Sequence, residues 1–108
     1  MKHEIRESGG HTVVAFEGDV DLDSSPAARK VLLECVKLKR SIVVDMSGVS
    51  YIDSSGVASL VESLQAARKA GLGFGLAMVS ESAMRVLQLA RLDKVFPIHA
   101  SLDEALGG

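Results

Sequence analysis

The chain is predicted to fold as an α/β domain, a mixed four- to five-stranded sheet packed against helices, and three observations carry that prediction. Ile42-Val43-Val44 is a continuous β-branched run, the signature of a strand covered on both faces. Val57, Leu60, Val61 and Leu64 then recur at the spacing of a core-facing helix. Strand and helix patterns go on alternating toward the C-terminus, which implies parallel pairing through right-handed crossovers. At 108 residues, 47% of them apolar, the chain is expected to form one domain spanning residues 1–108 with a proper core.

The elements follow in order. Lys2 to Arg6 alternates, Ser8-Gly9-Gly10 is a turn signal, and Thr12 to Phe16 reads as the partner strand of an antiparallel pair. Glu17-Gly18-Asp19-Val20-Asp21 is expected to carry the chain off the sheet. Ser25 followed by Pro26 reads as a cap with proline at the first helical position, where the missing amide does no harm. Ala28, Val31, Leu32, Cys35 and Val36 form the inward face of that helix, which should end near Leu38. A strand from Ile42 to Met46 leads through a loop to a helix from about Ser54 to Ala70, stopped by Gly71-Leu72-Gly73. Phe74, Leu76, Met78 and Val79 make the next buried strand, and Ser80 caps a helix that turns Ala83, Met84, Leu87 and Ala90 inward. Val95 to Ile98 is a short last strand, placed at an edge by Pro97. Ser101 with Glu104 is a capping box for a final turn or two, and Gly107-Gly108 is expected to fray.

Composition excludes several classes of function. Net charge is −2 with the two signs interspersed along the chain, so no basic stripe advertises nucleic acid and direct DNA binding is not expected. The single Cys35 lies on an apolar helical face, which fits a reduced, buried thiol in the cytosol. No charged-then-apolar leader precedes the first strand, and no apolar run approaches the roughly 18 residues of a membrane span. A cytoplasmic protein is expected. His3, His11 and His99 are scattered, without the spacing that puts two ligands on one face, so neither a metal nor another cofactor is expected.

The chemistry is expected at Asp53-Ser54-Ser55-Gly56. Asp and Ser are good N-caps, because a side-chain oxygen accepts from a free amide of the first turn, so either Asp53 or Ser54 could serve merely as a cap. Gly56 argues for more than that. It falls inside the first turn, at a cost of up to about 1 kcal/mol relative to alanine, and its missing side chain leaves the backbone approachable. Enzymatic use of Ser54 is not expected: Ile52 occupies the first position of a Gly-x-Ser-x-Gly elbow, and no His–acid pair is evident to activate the hydroxyl. Gly71-x-Gly73-x-Gly75 precedes a strand rather than joining strand to helix, so a helix terminator explains it better than a nucleotide loop. Met78, Met84 and Phe74 sit at core spacing and read as packing.

The stretch Asp45-Met46-Ser47-Gly48-Val49-Ser50-Tyr51-Ile52-Asp53-Ser54-Ser55-Gly56-Val57 resembles the signature of STAS domains, specifically the bacterial anti-sigma-factor antagonists. The likeness extends to Gly18-Asp19-Val20-Asp21 and to the order of elements from roughly His11 to Ile98. The resemblance implies that Ser54 is phosphorylated by an ATP-binding anti-sigma serine kinase, with Ser55 the weaker candidate. It also implies a partner surface at Asp53, Ser55 and Gly56, joined by Asp19 and Asp21 of the loop before the first helix. The unphosphorylated form would bind the kinase and free a sigma factor; phosphorylation would end the complex and a serine phosphatase would restore it. Replacement of Asp21 is expected to weaken that binding while leaving stability nearly unchanged. Two other readings stand beside this one. One is an unmodified STAS subunit of a membrane assembly of the lipid-transport type. The other is a two-component receiver using Asp45 or Asp53, which lacks the acidic pair needed after the first strand to hold magnesium.

Overall fold

The computed structural model describes residues 1–107. The elements are β1 (Lys2–Ser8), β2 (His11–Val20), α1 (Ser25–Val36), β3 (Ser41–Ile52), α2 (Ser54–Lys69), β4 (Phe74–Ala77), α3 (Glu81–Leu89), β5 (Ile98–His99) and α4 (Leu102–Ala105). The sheet runs β1-β2-β3-β4-β5 in spatial order, with β1 antiparallel to β2 and every later pair parallel. This is the mixed five-stranded α/β sheet that the strand and helix periodicities predict.

Alternation along the strands explains how the layers form. Val14, Phe16, Ile42, Val44, Met46, Phe74 and Leu76 point to one face, where they meet Ala28, Leu32 and Cys35 of α1, Val57, Leu60, Leu64 and Ala67 of α2, and Ala83 and Leu87 of α3. The helices of all three crossovers therefore cover the same face. Val13 and Val43 point the other way; there Val43 and Gly75 share a cavity of about 190 Å³ with Ala105 of α4 and with both His11 and His99. Two histidines that look scattered in sequence thus line one cavity.

The central strands are longer than the sequence suggests, and this difference positions the site. Both β2 and β3 stay paired where loops were expected, through Glu17↔Gly48, Gly18↔Val49, Asp19↔Tyr51 and Val20↔Ile52. Two register irregularities, between Ala15 and Glu17 and between Gly18 and Asp19, break the simple alternation. That is why the polar run Ser47 to Tyr51 reads as loop. Gly48 is required there, because a Cβ would lie 2.9 Å from the carbonyl oxygen of Phe16. Since β4 pairs only with Ile42 to Asp45, β2 and β3 project beyond it as a two-stranded ribbon, and α2 starts from the tip.

Smaller corrections have local causes. The N-cap of α1 is Ser24, while Ser25 is buried within the first turn beside Pro26. Strand β4 stops at Ala77. Met78 follows in a left-handed conformation (φ 58°) and is 40% exposed, so it leaves the core that its spacing suggests. Ala90 is the exposed C-cap of α3 rather than part of its inward face. The last strand is Ile98–His99, because Phe96 turns inward onto Phe74 (ring centroids 6.2 Å apart) and Pro97 contributes only its carbonyl, accepting from the Leu76 amide at 2.9 Å. Helix α2 ends as expected at Gly71 (φ 75°), with the amides of Gly71 and Leu72 donating back to Arg68 and Ala67. Of the C-terminal glycines, Gly108 lies outside the described residues.

Candidate functional site

Asp53 is the N-cap of α2. Its carboxylate oxygen Oδ1 accepts from the amides of Ser55 (2.9 Å) and Gly56 (3.1 Å). Capping by Asp53 settles which of the two candidates does that work, and it frees the neighbouring hydroxyl. Ser54 is the first residue of the helix, its side chain is exposed, and it makes no side-chain hydrogen bond among the described residues. The turn thus separates its roles: the aspartate holds the helix start and the serine is presented to solvent.

The two adjacent serines face different surroundings. Ser54 stands at the rim of an apolar groove of about 640 Å³ between α2 and α3, lined by Val57, Ala58, Val61, Val86, Leu89 and Leu92. Ser55 is partly buried and faces the seam between α1 and α2, beside Ser25, Arg29 and Ser59. In that seam the Ser59 hydroxyl lies 3.0 Å from the Ser25 carbonyl and 3.2 Å from the Ser55 carbonyl, which ties the turn to the start of α1. Of the two serines, Ser54 is the more exposed.

Gly56 is buried, and the approach that its missing side chain permits is made by the chain itself. A Cβ at this position would collide with the carbonyl oxygen of Val20 and lie 2.7 Å from Ile52 Cγ1. The glycine therefore lets α2 start flush against the ends of β2 and β3, and holds Asp53 and Ser54 in place from within.

Asp19 and Asp21 reach the same edge by way of the ribbon. The Val20 carbonyl accepts from the Asp53 amide at 3.3 Å, so the segment before α1 abuts the serine turn. Asp21 is more than a solvated acid. Its Oδ1 accepts from the amides of Asp23 and Ser24 and lies near the Ser24 hydroxyl, each at 3.1 Å. The Ser24 amide and hydroxyl, with a smaller contribution from the Asp23 amide, hold the Asp21 carboxyl below its usual pKa, against slight desolvation. That network gives Asp21 a local structural role beside its place at this edge. It also props out Leu22, which is 71% exposed. Asp19 contributes its carbonyl to the Ser24 hydroxyl (2.8 Å), while its side chain is exposed.

Two features of this edge escape sequence reasoning. One is the third loop, where Met78 and Val79 read as strand in the sequence but follow the end of β4 and lead to Ser80, which caps α3 as predicted by accepting from the Ala83 amide at 3.2 Å. With it, all three strand-to-helix loops gather at the C-terminal edge of the parallel strands, where α/β sheets place their sites. The other is the groove itself. A second apolar stripe on α3, Val86 with Leu89, signals it in the sequence but is masked by the core stripe Ala83 and Leu87. Among the described residues no three His, Cys, Asp or Glu side chains gather as a metal site. Cys35 is buried in the helix layer, where desolvation, reinforced by Glu34, pushes its thiol pKa up.

The STAS domain model matches residues 2–105. The anti-sigma-B factor antagonist of Bacillus subtilis is 24% identical over 97 residues, covering 90% of this chain and 89% of that protein. The anti-sigma-F factor antagonist RsfB of Mycobacterium tuberculosis is 26% identical over 105 residues, covering 96% and 85%. The crystal structure of an anti-sigma factor antagonist from Mycobacterium paratuberculosis superposes with a TM-score of 0.90 at 28% identity, covering 98% of this chain and 91% of that one.

Proposed function

Because the chain belongs to the STAS domain family, we propose that it is a cytoplasmic anti-sigma-factor antagonist, a protein that captures an anti-sigma serine kinase while Ser54 is unmodified. Phosphorylation of Ser54 by that kinase ends the complex, and a serine phosphatase restores it. The names of the relatives support the antagonist role. The observation that carries the switch is the presentation of Ser54: an unbonded, exposed hydroxyl at a helix start whose capping is already done by Asp53.

The same geometry supplies the mechanism. A phosphoserine adds a charge of about −2. At most helix starts the free amides and the dipole welcome an anion, but here the Ser55 and Gly56 amides are already given to the Asp53 carboxylate. The added charge therefore stands beside Asp53, in an edge that also carries Asp19, Asp21 and Asp23, with its fold intact and its surface altered. A partner that docks apolar side chains into the groove beside Ser54 then meets bulk and negative charge at the rim. Asp19 and Asp21 extend the contact surface across the β2–α1 loop; Ser55 and Gly56 contribute by fixing the turn.

The test uses the cognate kinase with ATP. Wild type should gain one phosphate, about 80 Da, the mass of a single modified hydroxyl, in the peptide containing Ser54. Ser54→Ala should bind the kinase and stay unmodified. Ser54→Asp should keep its circular dichroism spectrum and bind much more weakly. Equal modification of Ser54→Ala and wild type would overturn the assignment.

A further inference from the structure

The charge that is interspersed along the sequence is unevenly distributed in space. The edge that carries Ser54 holds Asp19, Asp21, Asp23 and Asp53, while the helix C-termini and the loops that enter β3, β4 and β5 lie at the opposite edge. There the chain places Lys37 and Lys39 after α1, Arg68 and Lys69 in the last turn of α2, and Arg91 and Lys94 after α3. All six are exposed and none is in an ion pair among the described residues, although the Arg68 guanidinium donates to the Val95 carbonyl at 3.1 Å; they outnumber the acidic Glu34 and Asp93 that share these segments. Cations in a last helical turn complement the helix dipole, which accounts for Arg68 and Lys69. It accounts less well for Lys39 and Arg91, which lie in connections and hold left-handed conformations (φ 58° and 59°) where glycine is favoured. Helix α2 has glycine at the corresponding place, Gly71.

An exposed apolar side chain accompanies these cations: Leu38, between Lys37 and Lys39, is 52% exposed. Exposed Lys and Arg without carboxylate partners, with Leu38 protruding among them, suit an anionic bilayer, where the cations meet headgroups and the leucine enters the acyl boundary. Nucleic acid fits less well, since no aromatic side chain stands among them to stack on bases. The geometry points to this edge as a peripheral membrane-contact surface for anionic phospholipid. No helix among the described residues is long and apolar enough to cross a membrane, so the contact is superficial. The Ser54 turn leaves the other end of the parallel strands, so it faces away from such a surface.

Flotation of the full chain with vesicles tests this. Vesicles of phosphatidylcholine with about 30 mol % phosphatidylglycerol should carry the protein at about 0.05 M salt and release it at about 1 M, while pure phosphatidylcholine should not carry it. Each cation contributes about five-fold to partitioning, so Lys37→Glu with Lys39→Glu should lower it by well over ten-fold, and Leu38→Ser should weaken it with the charge intact. Ser54→Asp should float like wild type. Circular dichroism confirms that each variant is folded. Equal partitioning onto neutral vesicles, undiminished binding by the Lys37/Lys39 variant, or no binding at low salt would overturn the proposal. So would binding to duplex DNA as tight as to vesicles of matched phosphate concentration, or salt-sensitive self-association in place of flotation. None of these outcomes depends on the kinase.

Discussion

Gly56→Ala sets two effects of known size against each other. Alanine is favoured over glycine within a helix by about 1 kcal/mol, so propensity alone predicts a more stable protein. The structure predicts the reverse. The new Cβ would collide with the Val20 carbonyl oxygen, 2.7 Å from Ile52 Cγ1 and 3.0 Å from Val20 Cγ1. The first of these is backbone, fixed in the ribbon by the Val20↔Ile52 pairing, and cannot rotate aside. Overpacking of a tight site costs about 1–3 kcal/mol, and a clash against paired backbone belongs at the upper end. Net destabilisation of about 2 kcal/mol remains, a fall in melting temperature of roughly 10 °C for a domain of this size. Because relief comes from lifting α2 off the ribbon, the start of α2 and Ser54 should shift with it. Thermal unfolding followed by circular dichroism measures the first effect, and amide shifts of residues 53–57 the second. Gly71→Ala is the control: nothing lies within 4 Å of its Cβ, so it should lose only the backbone cost of its left-handed φ of 75°, about 1 kcal/mol. A Gly56→Ala protein that melts at or above wild type would refute the packing argument and leave propensity in charge.

Other expectations follow from the same contacts. Asp53→Ala should lower stability by about 1 kcal/mol through loss of the N-cap, and Asp53→Asn should recover most of it; equal melting temperatures for all three would remove Asp53 from the capping role. Asp21→Ala should melt below wild type at pH 7. Since the folded carboxyl has the lower pKa, its contribution is fully present above the unfolded value of about 3.9 and vanishes as pH falls through the folded one. The gap between the two proteins should therefore close on acidification, and a gap that persists at pH 2 would point to something other than the ionised carboxylate. Cys35 should react with thiol reagents only on the unfolding timescale, since it is buried and its thiol pKa is raised; rapid labelling of native protein would contradict its burial.

Local chemistry determined much of this protein from sequence alone. The β-branched run at Ile42 to Val44 and the apolar periodicity from Val57 to Leu64 dictate strand and helix whatever surrounds them. Asp53 and Ser80 cap helices because their short side chains reach the amides two or three residues on, and Gly71 stops α2 because a left-handed residue without a Cβ costs little. Only the tertiary structure decided the rest. Ser47 to Tyr51 carries no strand pattern, and it is strand because β2 supplies a partner through two irregular registers. Gly56 is small for the sake of Val20, 36 positions earlier in the chain. Ser54 and Ser55 are chemically identical, and only the packing of α3 on one side of α2 and α1 on the other gives the first an open groove and the second a closed seam. The uneven distribution of charge has the same origin. Lys and Arg that are scattered along the sequence gather toward one edge because each of the three parallel crossovers returns its helix C-terminus to the same end of the sheet.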